Sequence, residues 1–160
     1  MAKPNQVLQL YRKLESFPFG NKIFSLLFGL KAPYFRSISP TVLALAPGKA
    51  HVRMRQRWGV QNHIGTVHAI ACCNLVEMAM GCCAEASIPS NLRWLPRGMD
   101  VAYVKKAKGT LTAVAEIPDN FFELPKYPGD VSMPVLVKDA QGDTVVAAKV
   151  HLYITEKPKI

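Results

Sequence analysis

Acidic residues are scarce in this chain. Eleven aspartates and glutamates stand against 20 lysines and arginines, a formal net charge of +9 over 160 residues. Such a balance favours an anionic partner: a nucleic acid, a membrane surface or a phosphate-bearing small ligand. Zinc-finger, RNP and basic-region patterns are all missing, and the positive charges are spread along the chain, not gathered in a tail. Nucleic acid is therefore not the expected partner. Cysteine is also scarce. The four present form two adjacent pairs, Cys72-Cys73 and Cys82-Cys83. Neither the two-to-four-residue spacing of a zinc site nor a disulfide inside a helix fits them, so they read as small buried hydrophobes. A catalytic role for Cys73 is a minor alternative, because it lies one turn from Glu77.

Long uninterrupted apolar runs are absent too. Ile23 to Leu30 is too short to span a bilayer. The longer run after Trp58 is broken by His68, Asn74 and Glu77, which points to a buried helix of a soluble protein with no integral membrane association. The N-terminus lacks the apolar core and cleavage site of a secretory signal, so the expected location is cytoplasmic. Repeats and low-complexity segments are likewise missing. With half its residues hydrophobic and a moderate charged fraction, the chain is globular. Its length suits a single domain over 1–160, with a helical N-terminal segment at 1–32 and a core at 33–160.

What is present is organised around Trp58 to Ser87. A polar stretch carrying Asn62, His63, Gly65, Thr66 and His68 leads into about twenty residues rich in Ala, Leu, Met and Glu. Apolar residues cover nearly the whole circumference, so this helix is expected to be buried on most sides. Its start, from Gly65 to His68, offers free backbone N–H groups to an anion or a polarised carbonyl oxygen. Glu77 is a carboxylate in an apolar setting, which calls for a partner or a task. Nine residues separate His68 from Glu77. That distance turns Glu77 to about the opposite side of the helix and roughly 13 Å along it. One helix cannot aim both at a small ligand, whereas two antiparallel copies can. The geometry predicts a homodimer, with pairing into tetramers left open, whose sites are shared between subunits.

Around this helix the periodicity changes. Pro4 to Glu15 is an expected amphipathic helix, and Asn21 is the expected cap of a second helix through Gly29. Thr41 to Leu45 reads as extended, and His51, Arg53, Arg55 and Arg57 form the basic face of a second strand. After the helix come Leu92 to Lys105, irregular at Pro96-Arg97-Gly98, then Thr110 to Ile117, Val131 to Lys138 and a last strand through Ile154. Pro118 to Gly129 is a loop. Short turns between the later strands imply antiparallel pairing. The result is an α+β design, with the sheet curled around one helix.

The stretch from Ile38 to Glu156 resembles the hotdog-fold thioesterases, in which a curved antiparallel sheet of about six strands wraps a long central helix. It resembles most the DUF4442 family, relatives of the PaaI-type acyl-CoA thioesterases. The resemblance rests on Asn62, on His68 six residues later, and on the acid Glu77 nine beyond that. It rests also on Val101 to Ala113 and Val145 to Ile154. In two respects the chain differs: the relatives' His-Gly-Gly is His68-Ala69-Ile70 here, and the acid Glu77 stands where Asp is commoner, though both occur among hotdog enzymes.

The resemblance implies hydrolysis of an acyl-CoA thioester to free acid and coenzyme A, with no cofactor and no metal. Glu77 would activate water or attack the thioester carbonyl. Amides around Gly65, His68 and Ala69 would hold the oxyanion, and Asn62 would orient water or substrate. Arg97, Lys105, Lys106 and Lys108 would hold the phosphates of coenzyme A. Each residue also has a plainer reading: Glu77 paired at a dimer contact, His68 as a structural helix cap, Asn62 as a turn residue, the lysines as a solvated hairpin. Two other functions share the fold: an acyl or acyl-CoA-binding module without turnover, which Ala69-Ile70 favours, and a hydratase or dehydratase.

Overall fold

The computed structural model describes residues 5–118, 120–122 and 127–158. Helix α1 runs over Gln6–Leu14 and α2 over Gly20–Lys31, followed by a 3-10 turn at Pro33–Ile38. Strands β1 (Thr41–Ala46) and β2 (Lys49–Arg55) precede a short turn at Trp58–Val60 and the central helix α3 (Ala69–Ser87). Strands β3 (Leu92–Tyr103), β4 (Thr110–Glu116), β5 (Gly129–Lys138) and β6 (Thr144–Glu156) complete the chain. Pro4, where the first helix was expected to begin, lies outside the described residues, as does part of the expected Pro118–Gly129 loop.

Local chemistry explains the boundaries. Asn5 caps α1 by accepting a hydrogen bond from the Val7 amide at 2.8 Å, and Arg12 and Lys13 occupy its last turn, where cations suit the helix dipole. The expected cap of α2 is corrected. Phe19, in a left-handed conformation with φ 62°, precedes the helix, and no side chain caps it. Asn21 lies inside the first turn and donates instead to the Leu43 carbonyl at 3.3 Å. Helix α3 stops where Ile88 turns extended before Pro89.

One antiparallel six-stranded sheet runs in the order β1-β2-β4-β5-β6-β3, curved around α3. The helix is thus inserted in sequence between β2, near one edge, and β3, which is the other edge. Thirteen of the nineteen residues of α3 are buried, so the sheet and α1 cover most of its circumference. Leu75, Val76, Met78 and Met80 belong to one buried core with Val52, Met54, Leu111, Val135 and Leu152. The irregularity expected near Pro96 is a register shift in the β3–β6 pairing between Pro96 and Gly98. Strand β2 has the predicted alternation, with Val52 and Met54 fully buried, but it ends at Arg55. Arg57 lies beyond it and donates from Nη2 to the Ser37 carbonyl. Ser25 joins α2 to β1: its hydroxyl donates to the Asn21 carbonyl at 2.6 Å and accepts from the Val42 amide at 2.8 Å.

Candidate functional site

The start of α3 is built by a tight loop. Asn62 Oδ1 accepts from the Ile64 and Thr66 amides at 3.2 and 3.0 Å, and Nδ2 donates to Thr66 Oγ1 at 2.7 Å. Gly65, at φ 74°, makes the reversal that a side chain would strain. Its amide donates to the Asn62 carbonyl at 3.1 Å, so it is committed to the loop and not offered to a ligand. His68 is the N-cap of α3. Its Nδ1 accepts from the Ile70 amide at 3.0 Å, while its own amide donates to the Val60 carbonyl. The Ala69 amide is left without a partner among the described residues. The anion-binding capacity expected at this helix start therefore reduces to the Ala69 amide, which borders the larger hollow, and the Ala71 amide, which borders the smaller one, both without a partner among the described residues and aided by the helix dipole.

Two hollows flank this point. A cavity of about 400 Å³ is lined by Asn62, Ala69, Tyr103, Lys105 and Lys106, with Cys72 at its base. On the other side, a hollow of about 190 Å³ is lined by Tyr34, Ser37, His68, Ile70 and Asn74. Asn62 and His68 thus face different spaces, and Glu77 lines neither. Asn74 is buried; its Nδ2 donates to Ser37 Oγ at 3.0 Å, and its Oδ1 has no partner among the described residues.

Glu77 sits midway along α3 on the one stripe the sheet leaves open. Ile70, Cys73 and Glu77 follow at helical spacing; Ile70 is exposed, and the other two are half-buried. No hydrogen bond or ion pair reaches the Glu77 carboxylate from the described residues. Cys73 Sγ, one turn away, lies 3.1 Å from the Tyr103 hydroxyl at the end of β3. That contact, followed by partial burial, pushes the Tyr103 hydroxyl up to about 12. The other cysteines are buried; burial raises Cys72 to about 12 and Cys83 to about 11, and raises Cys82 as well. Thiols held neutral in this way are poor nucleophiles, in keeping with a packing role.

The basic set divides. Lys105 and Lys106 line the larger cavity. Lys105 is bound by Asp143 and Asp139, and the hydrogen bond to Asp143 raises its ammonium further above the ordinary lysine range. Lys106 and Lys108 are exposed and unpaired among the described residues. Arg97 belongs elsewhere. It pairs with Asp130 at 2.9 Å, stacks 4.8 Å from the Tyr153 ring, and stands roughly 20 Å back along β3 from Tyr103. The expected four-residue cluster is thus three lysines, with Arg97 held apart in its own chain. Tyr103 was not anticipated as a site residue, and Ile70 was noted in the sequence only as part of the departure from the relatives' His-Gly-Gly. No spacing signal marks Tyr103, because its importance arises from where the β3 edge meets the open stripe of α3.

A family model described as a domain of unknown function, DUF4442, matches residues 20–154. The chain belongs to the DUF4442 family. Among solved structures, the structural-genomics protein APC5556 is 38% identical, with 94% of this chain and 99% of that one covered and a TM-score of 0.80. PA5026 from Pseudomonas aeruginosa, a protein of unknown function called a probable thioesterase, is 20% identical over 88% of this chain and 97% of its own, with a TM-score of 0.76. A variant of the phenylacetic acid degradation protein PaaI from Thermus thermophilus is 19% identical over 76% and 97%, with a TM-score of 0.62. No curated protein matches. The architecture of this DUF4442 protein is the hotdog fold.

Proposed function

We propose that this chain is an acyl-CoA thioesterase that works as a homodimer, with each site shared between two subunits. The observation that carries the reading is Glu77: a half-buried carboxylate, unpaired among the described residues, on the only uncovered stripe of the core helix. Leaving a carboxylate there without a partner is costly unless it serves a ligand. Its own Ala69 amide is eight residues back, about 12 Å along the helix. A second helix running antiparallel across the stripe would bring a partner's helix start to it. Strand β3 supports that arrangement, since it pairs on one side only and exposes Leu95 and Tyr103, with Val104 exposed just beyond its end.

In this reading Glu77 takes a proton from water, the oxygen of which attacks the thioester carbonyl. The developing oxyanion is held by the Ala69 amide at the positive end of α3. The C–S bond breaks, and the thiolate of coenzyme A leaves with the proton carried by Glu77. Asn62 lines the cavity beside Ala69, though most of its side-chain capacity is spent on its loop, so its part is to fix the position of that amide. Lys106 and Lys108, with Lys105 already neutralised, meet the phosphates. Further support comes from the Staphylococcus aureus thioesterase SAV0944, 18% identical, whose crystallised variants alter a glutamine and a glutamate fifteen positions apart. Asn62 and Glu77 have the same separation.

One observation favours a second reading. The Ile70 amide is occupied by His68 Nδ1, and the exposed Ile70 side chain adds bulk at the helix start. A protein that binds acyl-CoA without turnover would tolerate this. A panel of acyl-CoA thioesters assayed for thiol release separates the two. Release that is lost in Glu77→Gln supports the enzyme; ligand binding with no release assigns the chain to the binding class.

A further inference from the structure

The charge excess and a broad exposed apolar surface of this chain fall in the same region. Residues 1–76 hold ten lysines and arginines and one acid, Glu15, whereas residues 77–160 hold ten of each. The whole formal charge of +9 therefore belongs to the first 76 residues. That half contains α2, which is apolar on two opposite faces. Phe24, Ser25 and Gly29 are buried against the body of the protein. Ile23, Leu26, Leu27 and Leu30 recur at i, i+3, i+4 and i+7 and face outward, 43, 55, 41 and 58% exposed. Phe17 and Phe19, in the turn before α2, are 62 and 73% exposed.

A helix that is apolar all round is ordinarily covered all round. Here the outer stripe is open, and cations rim it. Lys22 and Lys31 stand at the two ends of α2, and the Lys22 ammonium lies 5.3 Å from the Phe19 ring. Arg53 shares a surface hollow with Phe17, Phe19 and Lys22. A second copy of the chain seated face to face on this patch would set these cations against their own images; the acids beside them are Glu15, near Lys22 and Arg53, and Glu85, near Lys31 but already bonded to Asn5 and Trp94. At twelve residues, or about 18 Å, α2 is far too short to cross a bilayer. An apolar stripe edged by lysines is the composition of a helix that lies in the headgroup region, its leucines among the acyl chains and its ammonium groups on lipid phosphates. We propose that α2 and the Phe17–Phe19 turn dock this protein on the surface of an anionic lipid bilayer. This surface is formed by α2, the Phe17–Phe19 turn and Arg53 of β2 and uses none of the residues assigned to thioester hydrolysis.

The full chain is tested by flotation with phosphatidylcholine vesicles and with vesicles in which about one third of the lipid is phosphatidylserine. The expected result is flotation with the anionic vesicles only, weakening as salt is raised. Leu26→Gln with Leu30→Gln changes exposed side chains only, so the circular dichroism spectrum stays that of the parent while binding falls at least about tenfold. Lys22→Gln with Lys31→Gln weakens binding by about thirtyfold. Failure of the parent to float with anionic vesicles overturns the proposal, as does equal flotation of parent and variants. Loss of a self-associated species in Leu26→Gln/Leu30→Gln, without flotation of the parent, would assign the face to a second copy and equally overturn it.

Discussion

Cys73 Sγ and the Tyr103 hydroxyl meet at 3.1 Å, joining the uncovered stripe of the core helix to the end of the edge strand. The contact raises Tyr103 from an ordinary value of 10.0 to about 12. A hydroxyl with a raised value in the folded state favours folding while it is neutral. Its contribution is complete below about pH 10 and is lost as pH rises through 12. Tyrosine titration followed by ultraviolet absorbance is expected to show a group that ionises near 12 and is lost in Tyr103→Phe, beside the upward shifts that burial gives Tyr11 and Tyr127. In Cys73→Ala that group ionises nearer the usual value. An unchanged titration in Cys73→Ala would dissociate the shift from the contact.

Gly81 interrupts an otherwise favourable helix. A Cβ placed there would lie 3.4 Å from Trp94 Cη2, close to ordinary packing distance. Gly81→Ala is therefore expected to stabilise the protein by up to about 1 kcal/mol, measured by urea denaturation. A larger side chain at the same place, as in Gly81→Leu, meets the indole and destabilises.

Asn74 is buried with Oδ1 unpartnered among the described residues, and its amide holds Ser37. Asn74→Asp would replace that donor with a buried carboxylate, at a cost of about 3 kcal/mol near neutral pH. Burial raises the value of such a carboxyl, so the cost is relieved as pH falls and the group takes up its proton. Denaturation at several pH values checks this; a penalty independent of pH would trace the loss to the missing hydrogen bond alone.

The three lysines are unequal. Lys105 is engaged by Asp139 and Asp143, whereas Lys106 and Lys108 are unpaired among the described residues. Lys106→Gln with Lys108→Gln is expected to weaken binding of coenzyme A by about tenfold while leaving free-acid binding unchanged. Arg97→Ala should leave both unchanged. Calorimetry with coenzyme A and with a free carboxylic acid distinguishes these outcomes, and equal losses for both ligands would remove the phosphate role.

The core helix, the order of elements and the irregularity at Pro96 were legible because each follows from local periodicity and from turn residues. The Asn21 cap failed because the Leu43 carbonyl of β1 competes for its side chain. Of the candidate site, Glu77 was legible as a charge out of place in an apolar helix. The amides actually left free, those of Ala69 and Ala71, were not. Which N–H groups remain at a helix start depends on what the Asn62 loop and the His68 ring consume, and that is settled by three-dimensional contacts. Arg97 was misplaced for a similar reason: in sequence it is eight residues from Lys105, but an extended strand turns eight residues into a long separation.

In the proposed dimer, Glu77 of one subunit serves the helix start of the other. Glu77→Gln removes the base, with an expected loss of at least about a hundredfold in thiol release. Ala69→Pro removes only the amide, because proline is at home in the first position of a helix and His68 already has the extended backbone that proline requires before it. Each variant alone should be inactive. Mixed dimers formed from the two would contain one site with both groups intact, and thiol release should return to about half the parent rate per mixed dimer. Mixed dimers as inactive as either variant would contradict the shared site.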